Sequence, residues 1–301
     1  MLLVAALMVA PLTAFAEDEA EAGDGPPLPL HTIEGVGGIV LTPMAYLVNP
    51  GPPGTVIGKP AVAAHWALLG GKDLEAITFT WTLWRRLELG YAFNRLGLDD
   101  FGDDVRAATG LDIRTNDILL HHFNARLNVI EENAGDMGWV PAVTLGAHYK
   151  YNNDVHEINR RLMDTLNALG YDDNDGVDFT LTATKALAFL PRPVFFSAGA
   201  RCSRAAHLGF LGFTNDYFVT LEGSALMLVT DRLAVGAEYR QKPDDLVAVP
   251  GLLANEDSWW DVHAAYILSN NAVVYATVGG LGKLLNHSDE TLYGLVFKYE
   301  F

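Results

Sequence analysis

Thr291-Leu-Tyr-Gly-Leu-Val-Phe-Lys-Tyr-Glu-Phe301, the last stretch of the chain, alternates with a period of two. Tyr293, Leu295, Phe297, Tyr299 and Phe301 share one face, and Gly294, Val296, Lys298 and Glu300 share the other. A strand that is aromatic and apolar on one side and small or charged on the other fits a membrane barrel, with lipid outside and water or salt bridges inside. An amphipathic strand of a soluble sandwich would show the same alternation, so the choice falls to the rest of the chain.

The chain has 301 residues, one cysteine and a net charge of −17, with 50% hydrophobic residues. A single cysteine excludes an intramolecular disulfide, and the acidic balance argues against nucleic acid as a partner. The only long apolar run is at the start, Met1–Pro11, followed by Ala-x-Ala ahead of Glu17. Residues 1–16 therefore read as a secretory signal peptide, although no Lys or Arg precedes the apolar core. Residues 17–59 read as a periplasmic leader and possible plug segment. Within it Gly35–Asn49 is apolar and broken by Pro43, which suits an edge strand or a segment tucked into a barrel mouth.

From Pro60 to the end, twelve segments repeat the alternation of the terminal strand: Ala61–Leu69, Leu74–Leu83, Arg86–Arg95, Asp117–Val129, Trp139–Tyr151, Val177–Leu187, Val194–Cys202, Tyr217–Met227, Arg232–Arg240, Trp259–Leu268, Ala272–Gly280 and Thr291–Phe301. Their length matches the nine to eleven or so residues of a tilted membrane strand. Ala272–Gly280 is apolar on both faces and the least regular. Long connections alternate with short ones, the pattern of outer loops and periplasmic turns. The expected fold is all-β, an antiparallel up-and-down transmembrane β-barrel over residues 60–301 with about 12 strands, or 14 if another lies in Ile113–Val129 or the leader. Trp84, Trp139, Trp259 and Trp260 lie near strand ends, where aromatic girdles sit. One long outer loop carries a helix: Asp154 and Glu157 form a capping-box-like start, Val155, Ile158, Leu162, Leu166 and Leu169 make an apolar stripe, and Gly170 is a stop.

The polar faces place Glu88, His122, Arg126, His148, Lys150, Arg201, Glu222, Glu238, Arg240, Asp261 and His263 toward one lumen. Acidic and basic residues are nearly balanced there, so salt-bridge ladders would either line a water path or close it. The small residues Gly90, Ala92, Gly146, Gly199 and Gly236 add room. Tyr171–Asp178 has a calcium-loop composition but the wrong register, with Tyr171 and Thr182 at the two end positions, and reads as an acidic turn. Despite nine histidines, no nucleophile–base or metal-ligand spacing occurs, so no catalytic, cofactor or metal residue is assigned.

The terminal face Tyr293, Leu295, Phe297, Tyr299 and Phe301 resembles the C-terminal strand by which Gram-negative outer-membrane barrels are recognised by the barrel assembly machinery. Gly37–Pro50 and Leu87–Arg95 resemble an uncharacterised bacterial family of exported proteins, a domain of unknown function with no assigned activity. At the level of class, the chain is similar to porin-like and small-hydrophobe-uptake barrels. The resulting expectation is an outer-membrane channel or facilitator, embedded in outer-membrane lipid, for an unknown small solute. A structural or interaction barrel with a filled lumen stands beside it, and a barrel hydrolase behind both.

Overall fold

Twelve antiparallel strands form one closed barrel. The computed structural model describes residues 28–187, 189–286 and 291–301; the signal-peptide reading, and the leader up to residue 27, lie outside them. Two short strands come first, β1 (Leu30–His31) and β2 (Gly37–Gly38), which pair only with each other. The wall follows as β3 (Ala61–Leu69), β4 (Lys72–Leu83), β5 (Leu87–Gly97), β6 (Asp117–Ile130), β7 (Ala142–Asn152) and β8 (Asp175–Leu187). It continues with β9 (Val194–Ala205), β10 (Phe213–Leu228), β11 (Leu233–Arg240), β12 (Trp259–Ile267), β13 (Ala272–Gly280) and β14 (Thr291–Glu300). Each strand pairs with its neighbour in sequence, and β14 closes on β3 with Leu292 opposite Leu69 and Glu300 opposite Ala61. A closed ladder leaves no unpaired edge, which is what an apolar surrounding demands of a sheet.

The period-two pattern decides which side is which. Ile77, Phe123, Leu181, Leu221 and Phe297 are 57%, 51%, 49%, 58% and 46% exposed, while their polar neighbours along the strands are buried. A large apolar outer surface around a polar interior inverts the soluble arrangement and suits lipid contact. Among the described residues no helix is long and apolar enough to cross a membrane, so the crossing elements are the strands.

Connections at one end carry the helices α1 (Phe101–Thr109), α2 (Val155–Arg161) and α3 (Thr165–Ala168). The single expected helix over 155–169 is therefore broken. Met163 and Asp164 take left-handed φ values of 53° and 58°, and the Asn159 side chain accepts the Leu166 N–H, starting a separate short turn. The alternation of long and short joins is looser than the sequence pattern implies. The join 70–71 is short at the long-loop end, and 131–141 is long at the other.

Candidate functional site: a lumen occupied by residues 28–50

The lumen is filled by the chain's own N-terminal segment. It enters at the short-turn end, where Lys298 Nζ of β14 donates to the Pro29 carbonyl at 2.5 Å. It rises past Tyr275, whose hydroxyl donates to the His31 carbonyl at 2.6 Å, and past Asn94, whose amide donates to Ile33 O at 3.0 Å. The chain turns at Gly35, with φ 77°, and pairs Gly37–Gly38 back on Leu30–His31. It descends through Ala45, whose N–H donates to Thr184 Oγ1 at 2.7 Å and whose carbonyl accepts from Thr144 Oγ1 at 2.5 Å. At Val48 the carbonyl accepts from Thr82 Oγ1 at 2.5 Å, one residue short of the end of β4. Both limbs thus leave at the same mouth. Gly90 marks the closest approach: a Cβ there would collide with the carbonyl oxygen of Gly35. The small wall residue that the sequence offers as room is a seat for the segment.

An irregular segment inside a barrel needs a partner for every backbone N–H and C=O that no ladder satisfies. The wall's inward charges supply several of them. Glu238 Oε1 accepts the Val40 N–H at 2.8 Å, Oε2 accepts Thr42 N–H and Oγ1–H at 2.7 Å each, and Leu41 N–H is shared between the two oxygens. Glu88 accepts N–H groups from Gly37 and Val48 at 3.0 and 2.7 Å. Arg126 donates to Gly37 O at 2.6 Å and to the carbonyl of Met44. At the centre, Glu34 of the segment lies between Lys150 Nζ at 2.6 Å, Arg240 Nη1 at 2.6 Å and Arg201 Nη2 at 3.2 Å. Asp178 and Glu222 complete that cluster, with Asp178 Oδ2 2.7 Å from Lys150 and Glu222 Oε2 3.1 Å from Arg201.

All eleven candidate residues read from the sequence are buried on the inner face. What the sequence did not show is their partner. The charges do not form ladders along an empty path; many of them hold peptide groups. Glu34 and Tyr275 also belong to the site, and the one sequence signal for Tyr275 is the apolar doubling of β13. Val273 and Tyr275 are its large inward residues, at 0% and 1% exposure.

Toward the long-loop end the lumen turns apolar on the side of β3, β4, β5 and β14. Leu69, Leu74, Leu96, Leu292 and Val296 point inward there. Residues 206–212 fold into the mouth, so that Leu208 and Phe210 are buried, tied down by Lys150 Nζ on Leu208 O at 3.2 Å and Asn152 Nδ2 on Phe210 O at 2.9 Å. Between this loop and the tip of the segment lies a cavity of about 40 Å³, bounded by Ile33, Val40 and Leu41 below and by Phe210 and Trp259 above. Trp259 is therefore an inner residue, 4% exposed, and only Trp260 of that pair, 52% exposed, reaches the outer face expected of a girdle. Trp84 and Trp139 are exposed at 61% and 75%.

Two constellations carry recognisable chemistry. Glu238, Asp261 and His263 bring possible metal-ligand atoms within 4.8 Å of one another. Both Glu238 oxygens are, however, taken up by the Val40–Thr42 amides, and His263 Nδ1 pairs with Asp261 Oδ1 at 2.9 Å. In the second, Asn124 Oδ1, His148 and Thr180 Oγ1 form a chain with spacings of 2.8 and 2.9 Å. Thr180 is 5% exposed, and the Asn124 amide donates to Glu34 O, so the chain braces the inserted segment and presents no accessible nucleophile.

A closed barrel, apolar outside and charged inside, with its lumen occupied by residues 28–50, has the architecture of a porin-like barrel of the outer-membrane class. The chain belongs to the family described as a protein of unknown function, DUF3034, whose pattern spans residues 29–295. No curated protein matches it in sequence. In structure it is similar to the KdgM porin, at 10% identity and a TM-score of 0.48, covering 80% of this chain and 99% of that one. It is also similar to the outer membrane protein Omp33 of Acinetobacter baumannii, at 12% identity and 0.44, over 82% and 99% of the two chains. The COG4313 outer membrane channel from Pseudomonas putida F1 aligns over 94% and 100%, at 13% identity and 0.43. At these scores the likeness is one of general barrel architecture and nothing finer.

Proposed function

We propose that this protein is a gated passive channel of the bacterial outer membrane, closed in the described state by residues 28–50 and opened when that segment withdraws toward the periplasm. The observation that carries this reading is the separateness of segment and wall. The two short strands β1 and β2 pair only with each other, and the twelve wall strands close without them. The segment can leave without breaking one ladder hydrogen bond of the barrel. Its polar contacts to the wall run through wall side chains, to its peptide groups and to side chains such as Glu34 and His31, and water can replace them once the lumen is wet. The wall that remains carries interspersed charges of both signs, from Glu88 and Arg126 near the short turns to Lys150, Asp178 and Arg240 near the long loops, suited to hydrated solutes.

The second reading, a structural barrel with a permanently filled lumen, is favoured by one observation, the burial of the charge network around Glu34. Solute efflux separates the two. Proteoliposomes of the full chain and of a form lacking residues 28–50 are compared for release of a small entrapped solute. The gated reading expects release to rise several-fold on deletion. A folded deletion form as tight as the full chain contradicts it. Neither reading gives the protein an enzymatic role.

A further inference from the structure

Glu34 is the only acidic residue between Leu28 and Pro50. It lies where three wall cations converge, each within 2.6–3.2 Å of its carboxylate. Those cations, Lys150, Arg201 and Arg240, share two wall carboxylates, Asp178 and Glu222. With Glu34 present, three cations meet three carboxylates. When the segment leaves, the wall retains three cations against two, all on side chains no more than 3% exposed in the filled barrel. A wall built one negative charge short at a single point needs an anion there. Glu34 differs in this from Glu88 and Glu238, whose contacts to the segment are mainly with backbone amides. Its own carboxylate meets side chains only, the three cations and, at 4.0 Å, His122 Nδ1.

We propose that Lys150, Arg201 and Arg240 form the binding site for the carboxylate of a small solute, and that Glu34 is that carboxylate's internal stand-in. The proposal rests on reading residues 28–50 as a displaceable plug. Two guanidinium groups and an ammonium converging on one point suit a carboxylate, through charge-assisted hydrogen bonds of fixed direction. The rest of the solute follows from what adjoins the site. Arg240 Nη1 also donates to Leu41 O at 3.0 Å, and Lys150 to Leu208 O. The cations therefore border the apolar chamber lined by Ile33, Leu41, Leu69, Leu96, Phe210 and Trp259. In the plugged state that chamber holds about 40 Å³, well under the cavity of about 150 Å³ that takes benzene. Withdrawal of Ile33, Val40 and Leu41 removes one side of it and joins it to the cations. The class that fits is a monocarboxylate with an apolar body, aromatic or short aliphatic. Neutral sugars and divalent cations do not fit.

Benzoate is the probe and benzyl alcohol its neutral counterpart, each titrated calorimetrically into the full-length protein. Glu34→Gln removes the stand-in charge at almost constant volume, so it should bind benzoate about tenfold more tightly than the wild type, the scale of one charge-assisted contact. Benzyl alcohol should gain nothing, and adding Lys150→Met should abolish the gain. Equal benzoate affinity in wild type and Glu34→Gln, or an equal gain for benzyl alcohol, would overturn the proposal. If Glu34→Gln does not fold, the wild type decides. Benzoate, and not benzyl alcohol, should speed amide exchange over residues 30–42 by about tenfold, and unchanged exchange overturns the site. A barrel that binds benzoate but never releases solute keeps the site and removes the channel. One that releases solute and shows no benzoate effect does the reverse.

Discussion

Glu88 and Arg126, on adjacent strands of the wall, pair at 3.0 Å and together clamp the inserted segment at Gly37, whose N–H goes to the carboxylate and whose carbonyl accepts from the guanidinium. Both side chains are buried, at 0% and 1%. Removing one member leaves the other charged and unpaired away from water, at a cost of about 3–5 kcal/mol. Arg126→Met should therefore lower the urea midpoint of the purified barrel sharply. The double variant Glu88→Leu/Arg126→Met should recover part of the loss, because neither charge is left alone. Additive losses in the double variant would mean that the pair is not coupled.

The outer face makes a separate prediction. Leu221 is 58% exposed on β10, between the inward residues Thr220 and Glu222. Leu221→Arg puts a charge against lipid and should cost about 2–4 kcal/mol near the midplane, enough to reduce the folded, heat-modifiable fraction, whereas Leu221→Phe should be neutral. Equal folding of the two variants would place this face away from lipid.

The wall was legible in the sequence because its rule is local: every second residue sees lipid, and all twelve strands fall where the alternation puts them. The site was legible only in half. Glu88, Glu238 and Arg126 could be assigned to the inner face, but a peptide N–H or C=O has no sequence signature. Charges that bind backbone therefore look like charges that bind one another or line water. Trp259 misled because its place near a strand end suggested a girdle, although it shares its face with Asp261 and His263, and it is buried beside them. The helix α1 escaped notice because only Val105 of its residues is buried, leaving no apolar stripe to read.

Phe301 closes the seam. Its N–H donates to Pro60 O at 3.0 Å, where β14 meets β3, and its ring packs edge-on against Tyr299 with centroids 5.2 Å apart. Deleting Phe301 should reduce the membrane-inserted, folded fraction severalfold when the chain is expressed in a Gram-negative host. Refolding into detergent should suffer less, since the lost contacts are few. A similar loss in both settings would make Phe301 a stability residue and remove its role in recognition by assembly machinery.

The inward-folded loop should respond to acid. Burial pushes the His207 imidazole down from 6.5 to about 4, against the opposing pull of Glu256. An unfolded His207 takes a proton below about 6.5 while the folded one stays neutral until about 4, so the loop keeps its full stability above 6.5. It should lose up to about 3 kcal/mol as the pH falls through that window. Glu256 acts in the same sense further down: burial raises its carboxyl, but His207 and Lys242 outweigh this and hold it below its ordinary value. Amide protection over residues 206–212, referred to the intrinsic exchange rate at each pH, should fall between pH 6.5 and 4, and His207→Phe should flatten most of that response. An unaltered profile in His207→Phe would assign the acid sensitivity elsewhere.

Locking the segment tests the gating most directly. Ala45 of the segment meets the inner wall at Thr184, with its N–H 2.7 Å from Thr184 Oγ1. The single native cysteine, Cys202, is removed by Cys202→Ser, and Ala45→Cys and Thr184→Cys are then joined by a disulfide. Conductance of this barrel in planar bilayers is recorded before and after a reductant is added to the bath. Discrete openings should be absent while the bond holds and should appear in the same membrane once it is reduced. Openings of equal size and frequency in both states would mean that solute passes with residues 28–50 in place, and the segment would not be the gate.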